Sequence, residues 1–243
     1  MTELLLTIVT VTKNCSQTIE RTLDSVAAVK QEQIEYIIVD GVSVDATLSI
    51  IRSRGSLVDR LVSEPDAGIY NAMNKGVRLA RGRYVLFING DDVLVEDGFS
   101  SVMDAIKLGV DRIICATTLV GNKEKPDEVL VGRPWCLPFF NSIPHPSSFV
   151  RRELLSRRPF REDLRIVSDY DFFLAAFLAQ VSFRILPVVT ALHQRGGASG
   201  DVQRSQAELE IVRRERLKWL YPLINCAAAL YRQYKRAIGR GAR

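Results

Sequence analysis

An α/β fold, with a mostly parallel sheet flanked by helices, is what three observations predict for this 243-residue chain. Apolar, β-branched runs of strand length recur through its first half, as strands buried on both faces require. Each run is followed by apolar positions at helical spacing, and that alternation implies right-handed βαβ crossovers. The length suits one sizeable domain with a tail and is too short for two ordinary enzyme domains with linkers.

Leu4 to Val11 reads as a central parallel strand, and Ile19, Leu23, Val26 and Ala27 then recur with helical period behind Ser16 as N-cap. The unit repeats as Tyr36 to Val39 with Ala46 to Arg54, Leu61 to Val62 with Ile69 to Ala80, and Tyr84 to Ile88 with Phe99 to Leu108. Beyond Thr118 the pattern loosens, and Gly121 to Pro126 with Pro134, Pro138, Pro144 and Pro146 marks loops. Phe183 to Val189 is strand-like, and from Gln203 the pattern is helical. The expected organisation is a domain over 1–200, with halves 1–95 and 96–200, and a basic helical tail over 201–243.

A hydrophobic fraction of 47% with 25% charged residues is that of a globular protein. Cys15, Cys115, Cys136 and Cys226 form no CxxC pair, so neither a zinc site nor a disulfide framework is indicated, and a reduced, cytoplasmic setting fits. Met1 leads into an apolar strand with an acid at Glu3 and no basic leader, which argues against a signal peptide. No apolar run reaches the ~18 residues that span a bilayer. Much of the net charge of +5 sits in the tail, from Arg204 to Arg243.

In open α/β sheets, ligands bind beyond the carboxyl ends of the strands. Polar residues stand at all four predicted exits: Thr12, Lys13 and Asn14 after the first strand, Asp40 after the second, Glu64 and Asp66 after the third, and Asn89, Asp91 and Asp92 after the fourth. Asp40 and Asp45 read equally as loop caps or as ligand contacts. Asn89-Gly90-Asp91-Asp92 is more pointed, because a turn needs one such residue and a second adjacent carboxylate repels the first. Two carboxylates at a sheet edge suit a hard divalent cation that bridges nucleotide phosphates.

The stretches Thr10-Val11-Thr12-Lys13-Asn14, Val39-Asp40-Gly41, Ser63-Glu64-Pro65-Asp66-Ala67-Gly68-Ile69-Tyr70-Asn71-Ala72-Met73-Asn74-Lys75-Gly76 and Asn89-Gly90-Asp91-Asp92 together resemble the family 2 glycosyltransferases of GT-A fold. The likeness is to the bacterial branch that builds exopolysaccharide, capsule and O-antigen units. The resemblance implies a nucleotide-sugar donor, most often a UDP-sugar, bound by the 1–95 half, with Thr10, Thr12 and Asp40 against the nucleoside. It implies Asp66 at the base or ribose, Asn74 near the phosphates, and Asp91 as the acid contacting Mn2+ or Mg2+, with Asp92 beside it. The first acid of the family's Asp-x-Asp signature is here Asn89, which supplies an oxygen but no charge.

On the acceptor side, Ile143 to Val150 resembles an element that flanks the acceptor site. His145 within it reads as a packed or loop-bonded side chain or as a chemical group. In Ser168-Asp169-Tyr170-Asp171, Ser168 and Asp171 form a capping box, so Asp171 has a structural account. The resemblance makes Asp169 the general base, and it implies a single inverting displacement that needs no protein nucleophile. His193, before the glycine loop, reads as a surface residue or as one that closes over metal or phosphate. Trp219 to Tyr231, with flanking bases, fits a helix lying on an anionic membrane, or one packed on protein. A saccharide acceptor that is lipid-linked accords with the former, as does a peripheral position on the inner membrane. The competing functions are a sugar-nucleotide pyrophosphorylase, disfavoured because no Gly-rich loop follows the first strand, and a non-catalytic sugar-nucleotide binder. A nucleic-acid binder is disfavoured because the cleft is acidic.

Overall fold

The computed structural model describes residues 3–121, 123–194, 201–227 and 229. The first half is built from β1 (Leu6–Thr12), α1 (Ile19–Val29), β2 (Ile34–Asp40), α2 (Thr47–Ser53), β3 (Arg60–Ser63), α3 (Ile69–Leu79) and β4 (Tyr84–Asn89). β1 is buried at all seven positions and pairs in parallel with β2 and β4, while β2 pairs in parallel with β3. Alternate side chains of β1 enter two separate cores. Leu6 and Ile8 pack with α1, and Val9 and Val11 pack with α3. Gly76 allows the second contact, because a Cβ there would lie 2.4 Å from Val9 Cγ1.

The second half comprises β5 (Val93–Leu94), α4 (Phe99–Leu108), β6 (Ile113–Gly121), β7 (Pro126–Val131), β8 (Ser148–Arg151), α5 (Arg152–Arg157), α6 (Ser168–Leu178), β9 (Phe183–His193) and α7 (Val202–Leu217). The sheet order is β3-β2-β1-β4-β8-β6-β9-β5, with β7 on β6. The α/β class is as the sequence predicts, with parallel pairing over β1 to β4 and again between β6 and β9. β8 inserts antiparallel to both β4 and β6, so the whole is mixed. That short strand follows Pro144 and Pro146, and its neighbours are distant in sequence, so no local period announces it.

Two capping expectations are corrected. α1 is capped at Thr18, not Ser16, since Cys15 carbonyl accepts from the Thr18 and Ile19 N–H groups and delays the helix start. Ser168 lies inside α6 and its hydroxyl accepts the Arg161 N–H, so there is no capping box. Asp171 instead accepts two hydrogen bonds from Arg216 of α7, each 2.7 Å.

The start of the predicted tail therefore belongs to the domain. Val212 and Leu217 are buried in the core, Arg213 is 9% exposed, and Glu208 accepts the N–H groups of Arg165, Ile166 and Val167 ahead of α6. Trp219 and Leu223 remain largely exposed. Among the described residues no helix is long and apolar enough to cross a membrane. The basic positions Arg232 to Arg243, and Gly196 and Gly197 of the glycine loop, lie outside the described residues.

Asp171 is 4% exposed at its side chain and takes both its short hydrogen bonds from Arg216, so removing Arg216 leaves a buried carboxylate with only Arg161 at 3.8 Å. Arg216→Ala should lower unfolding stability by about 3 kcal/mol, read from the urea midpoint.

Candidate functional site

The strand register brings the polar exits together. Thr12 stands opposite Asp40, Asp40 opposite Ser63, and Val11 opposite Asn89. Val11, Thr12 and Asn89 border an open cleft of about 1660 Å³, which also reaches α3, β7, the turn before β8 and the start of α6. Of the residues singled out in the sequence, Thr12, Asp66, Asn89, Asp91, His145, Asp169 and His193 line it. Thr10, Asp40, Asn74, Asp92 and Asp171 do not.

Those five have other partners. Thr10 hydroxyl takes the Tyr36 phenol at 3.0 Å inside the sheet. Asp40 is fully buried and accepts the Ser43 N–H at 2.9 Å and the Ser63 hydroxyl at 2.7 Å, so it ties together the loops after β2 and β3. Asn74 exchanges hydrogen bonds with the Phe160 backbone and donates to Glu162, at 2.9 Å each, so its amide is engaged within the fold. Sequence order cannot reveal this, because the partners lie more than eighty positions away. Asp66 does reach the cleft, with Oδ1 accepting the Gly68 N–H at 2.9 Å. Gly68 has φ +127, a left-handed conformation that favours glycine, and the tip of the Arg165 side chain fills the space a Cβ would take.

The acidic turn has a layered arrangement. Asp92 is fully buried and holds His193 Nδ1 at 2.6 Å, a contact set by the antiparallel pairing of Val93 with Leu192. Asp92 also accepts Thr22 hydroxyl at its backbone carbonyl. The hydrogen bond to Asp92 raises the His193 pKa and leaves Nε2 as its second nitrogen. Asp91 faces the cleft, and partial burial with Asp92 alongside raises its pKa. Thr12 Oγ1 and Asn89 Oδ1 are buried without partners among the described residues. A crowded acid beside orphaned oxygens is a chemical fit for a hard divalent cation, although among the described residues no three His, Cys, Asp or Glu converge. The protein would supply Asp91 and His193, with phosphate oxygens completing the shell, as is usual for Mg2+-type sites.

Across the cleft, Asp169 occupies the second position of α6 and is 8% exposed. Its Oδ1 accepts the Tyr70 hydroxyl at 2.9 Å, and Oδ2 has no partner among the described residues. His145 is buried among Phe87, Phe160 and Phe173, which depresses its pKa and keeps it neutral, while its Nε2 has no partner among the described residues. Packing thus accounts for the ring. Three residues at the site had no sequence signal of their own: Tyr70, Glu208 and Arg165, whose guanidinium donates to the Ala67 carbonyl. Tyr70 lay in a recognised motif, but its partners are on a distant helix.

Asp40→Ala removes a buried acceptor of several donors, so it should cost about 2 kcal/mol in chemical denaturation while leaving Asp91 and Asp169 in place.

The chain matches the model of Glycosyl transferase family 2 over residues 7–182. It is 30% identical over 211 residues to a PGL/p-HBAD biosynthesis glycosyltransferase of Mycobacterium tuberculosis, covering 79% of this chain and 77% of that protein. S. aureus TarS 1–349 in complex with UDP-GlcNAc shares the fold with TM-score 0.67 at 16% identity, over 90% of this chain and 73% of that one. Against the longer TarS chain the coverage is 43%. Glucosyl-3-phosphoglycerate synthase of Mycobacterium tuberculosis, in complex with Mn2+, UDP and phosphoglyceric acid, superposes with TM-score 0.63 at 18% identity, over 88% and 78%. The parallel sheet over β1 to β4, the acidic turn at its edge and these matches agree, and the chain belongs to the family 2 glycosyltransferases, with the GT-A fold.

Proposed function

We propose that this glycosyltransferase moves a sugar from a UDP-sugar to a hydroxyl of a lipid-linked saccharide, by one inverting displacement with Asp169 as the general base. The observation that carries the reading is that Asp169 and Asp91 line one cleft from opposite structural halves. Thr12 and Asp66 face the nucleoside, and Asp40 holds the loops that shape that wall. Asp91, His193 and the amide oxygen of Asn89 lie where a divalent cation and the diphosphate would meet. When bound, that cation supplies charge to stabilise the departing nucleoside diphosphate.

Asp169 Oδ2 takes the proton of the attacking hydroxyl as the bond to the anomeric carbon forms. Asp92 fixes the orientation of the His193 ring, as an outer carboxylate does for a metal-facing imidazole. The donor class is supported by the UDP and UDP-GlcNAc complexes of the structural relatives. The acceptor class is supported by the cleft's apolar end, where Val129, Val131, Phe139, Phe140 and Ile143 extend the wall past the reacting centre. The half over 1–95 serves the donor and the half over 96–200 the acceptor. Any use of the tail in holding the enzyme at a membrane falls to residues around exposed Trp219 and Leu223.

Melting with UDP-, GDP- and dTDP-sugars, each with and without Mn2+, tests the donor side. UDP-sugar at a hundred times its Kd should raise Tm by about 5–10 °C, and Mn2+ should enlarge the effect. Stabilisation by GDP-sugars alone would overturn the donor assignment. In nucleoside diphosphate release with membrane lipids as acceptors, Asp169→Asn should lower kcat by about 10²–10⁴-fold. Asp91→Ala should lower kcat/KM by about 10²-fold or more and remove the Mn2+ response in the melting panel.

A further inference from the structure

Tyr70 begins α3 as its second residue, and two acceptors compete for its hydroxyl. The Ile166 carbonyl is at 2.6 Å and Asp169 Oδ1 at 2.9 Å. A phenol has one proton and donates to one acceptor at a time. The carbonyl belongs to the peptide joining Ile166 to Val167, and the N–H of that peptide points at Glu208 Oε2 of α7, 3.3 Å away. The Ile166 N–H reaches the same oxygen at 2.9 Å. A carboxylate on the N–H side polarises a peptide and makes its carbonyl a stronger acceptor. Burial, with the charge of Asp169 added, holds the Tyr70 phenol well above its ordinary pKa, so it stays a neutral donor.

We propose that Tyr70 is a positioning residue for the base, giving its proton to Asp169 Oδ1 while that carboxylate is ionised and turning it to the Ile166 carbonyl as Asp169 becomes protonated. It rests on the reading of Asp169 as the general base. In the step, the acceptor O–H bond breaks and an O–H bond forms at Asp169 Oδ2. The freed oxygen pair bonds to the anomeric carbon, and the diphosphate leaves with the electrons of the broken C–O bond. Tyr70 keeps its own proton throughout.

The two acceptors solve a conflict. A permanent strong donor would orient the carboxylate but over-stabilise its ionised form and weaken it as a base. Once Asp169 is protonated at Oδ2, its Oδ1 is a neutral and weaker acceptor, and the polarised Ile166 carbonyl at 2.6 Å becomes the better partner for the same proton. The nearby ionisable groups do not replace Tyr70 in this role. His145, from the turn before β8, is kept neutral by burial. Asp171, on the same helix, is neutralised by Arg216 and Arg161, and the Arg165 guanidinium is engaged by the Ala67 carbonyl. Glu208 acts through the peptide, not on the carboxylate.

The test is a carboxyl 13C NMR titration of the full chain, with Asp169→Asn assigning the signal. In Tyr70→Phe the Asp169 midpoint should rise by about one unit, since the ionised form loses a donor. The acid limb of kcat/KM should move up with it, and kcat should fall about tenfold or more with donor KM unchanged. A second measurement needs no variant: the Tyr70 13Cζ resonance of the native chain should step at the Asp169 midpoint. An unmoved midpoint in Tyr70→Phe, or a Tyr70 signal flat through the Asp169 titration, overturns the proposal. If Asp169→Asn keeps full turnover, the base assignment itself fails and takes this one with it. If Asp169→Asn is inactive while Tyr70→Phe titrates and turns over like the native chain, only the role of Tyr70 falls.

Discussion

The burial of β1 on both faces is the constraint from which the rest follows. Leu6, Ile8, Val9 and Val11 send side chains alternately into two cores, so helices must cover both sides of the sheet. Each such side chain contributes about 1.5–3 kcal/mol when buried, and a one-residue slip would exchange the two faces. The register of β1 with β2 and β4 is therefore strongly specified. That register aligns Thr12, Asp40, Ser63 and Asn89 along one edge, where the backbone leaves the ladder and polar side chains meet the cleft.

The acceptor half is positioned differently. α6 carries Asp169 into the cleft, and two contacts from α7 hold it there. Glu208 gathers the N–H groups of the segment leading into the helix, and Arg216 pairs with Asp171 two residues beyond Asp169. A helix that looks like a basic appendage in sequence is thus part of the wall that positions Asp169 in the cleft. Its arginines divide into buried partners and surface groups, since Arg213 and Arg216 bond within the fold while Arg214 pairs along its own helix with Glu210.

Much of this was legible beforehand, and the boundary has a physical cause. β1, β2 and β4 announce themselves as unbroken apolar runs, and α3 by its 3.6-residue period. The exits at Asp66, Asn89 and Asp91 were legible because open sheets bind ligands at strand ends. That Asn74, Thr10 and Asp40 are held inside the fold was not legible, because a polar side chain beside a cleft can turn inward to a partner, and here Phe160, Tyr36 and Ser63 are those partners. β8 escaped notice because a short strand after prolines has no periodicity long enough to read.

From its residues alone, then, the chain specified the α/β class, the polar edge and the family likeness, because strand burial, helical period and motif order are local properties. Only the tertiary structure decided that the sheet becomes mixed after β4, that Asp92 serves His193, that Asp171 pairs with Arg216, and that Tyr70 stands between Asp169 and the Ile166 carbonyl. Each of these joins residues at least forty-five positions apart in sequence, or strands whose pairing depends on such contacts. Side chains of ordinary type acquire such partners through packing, which no short-range pattern records.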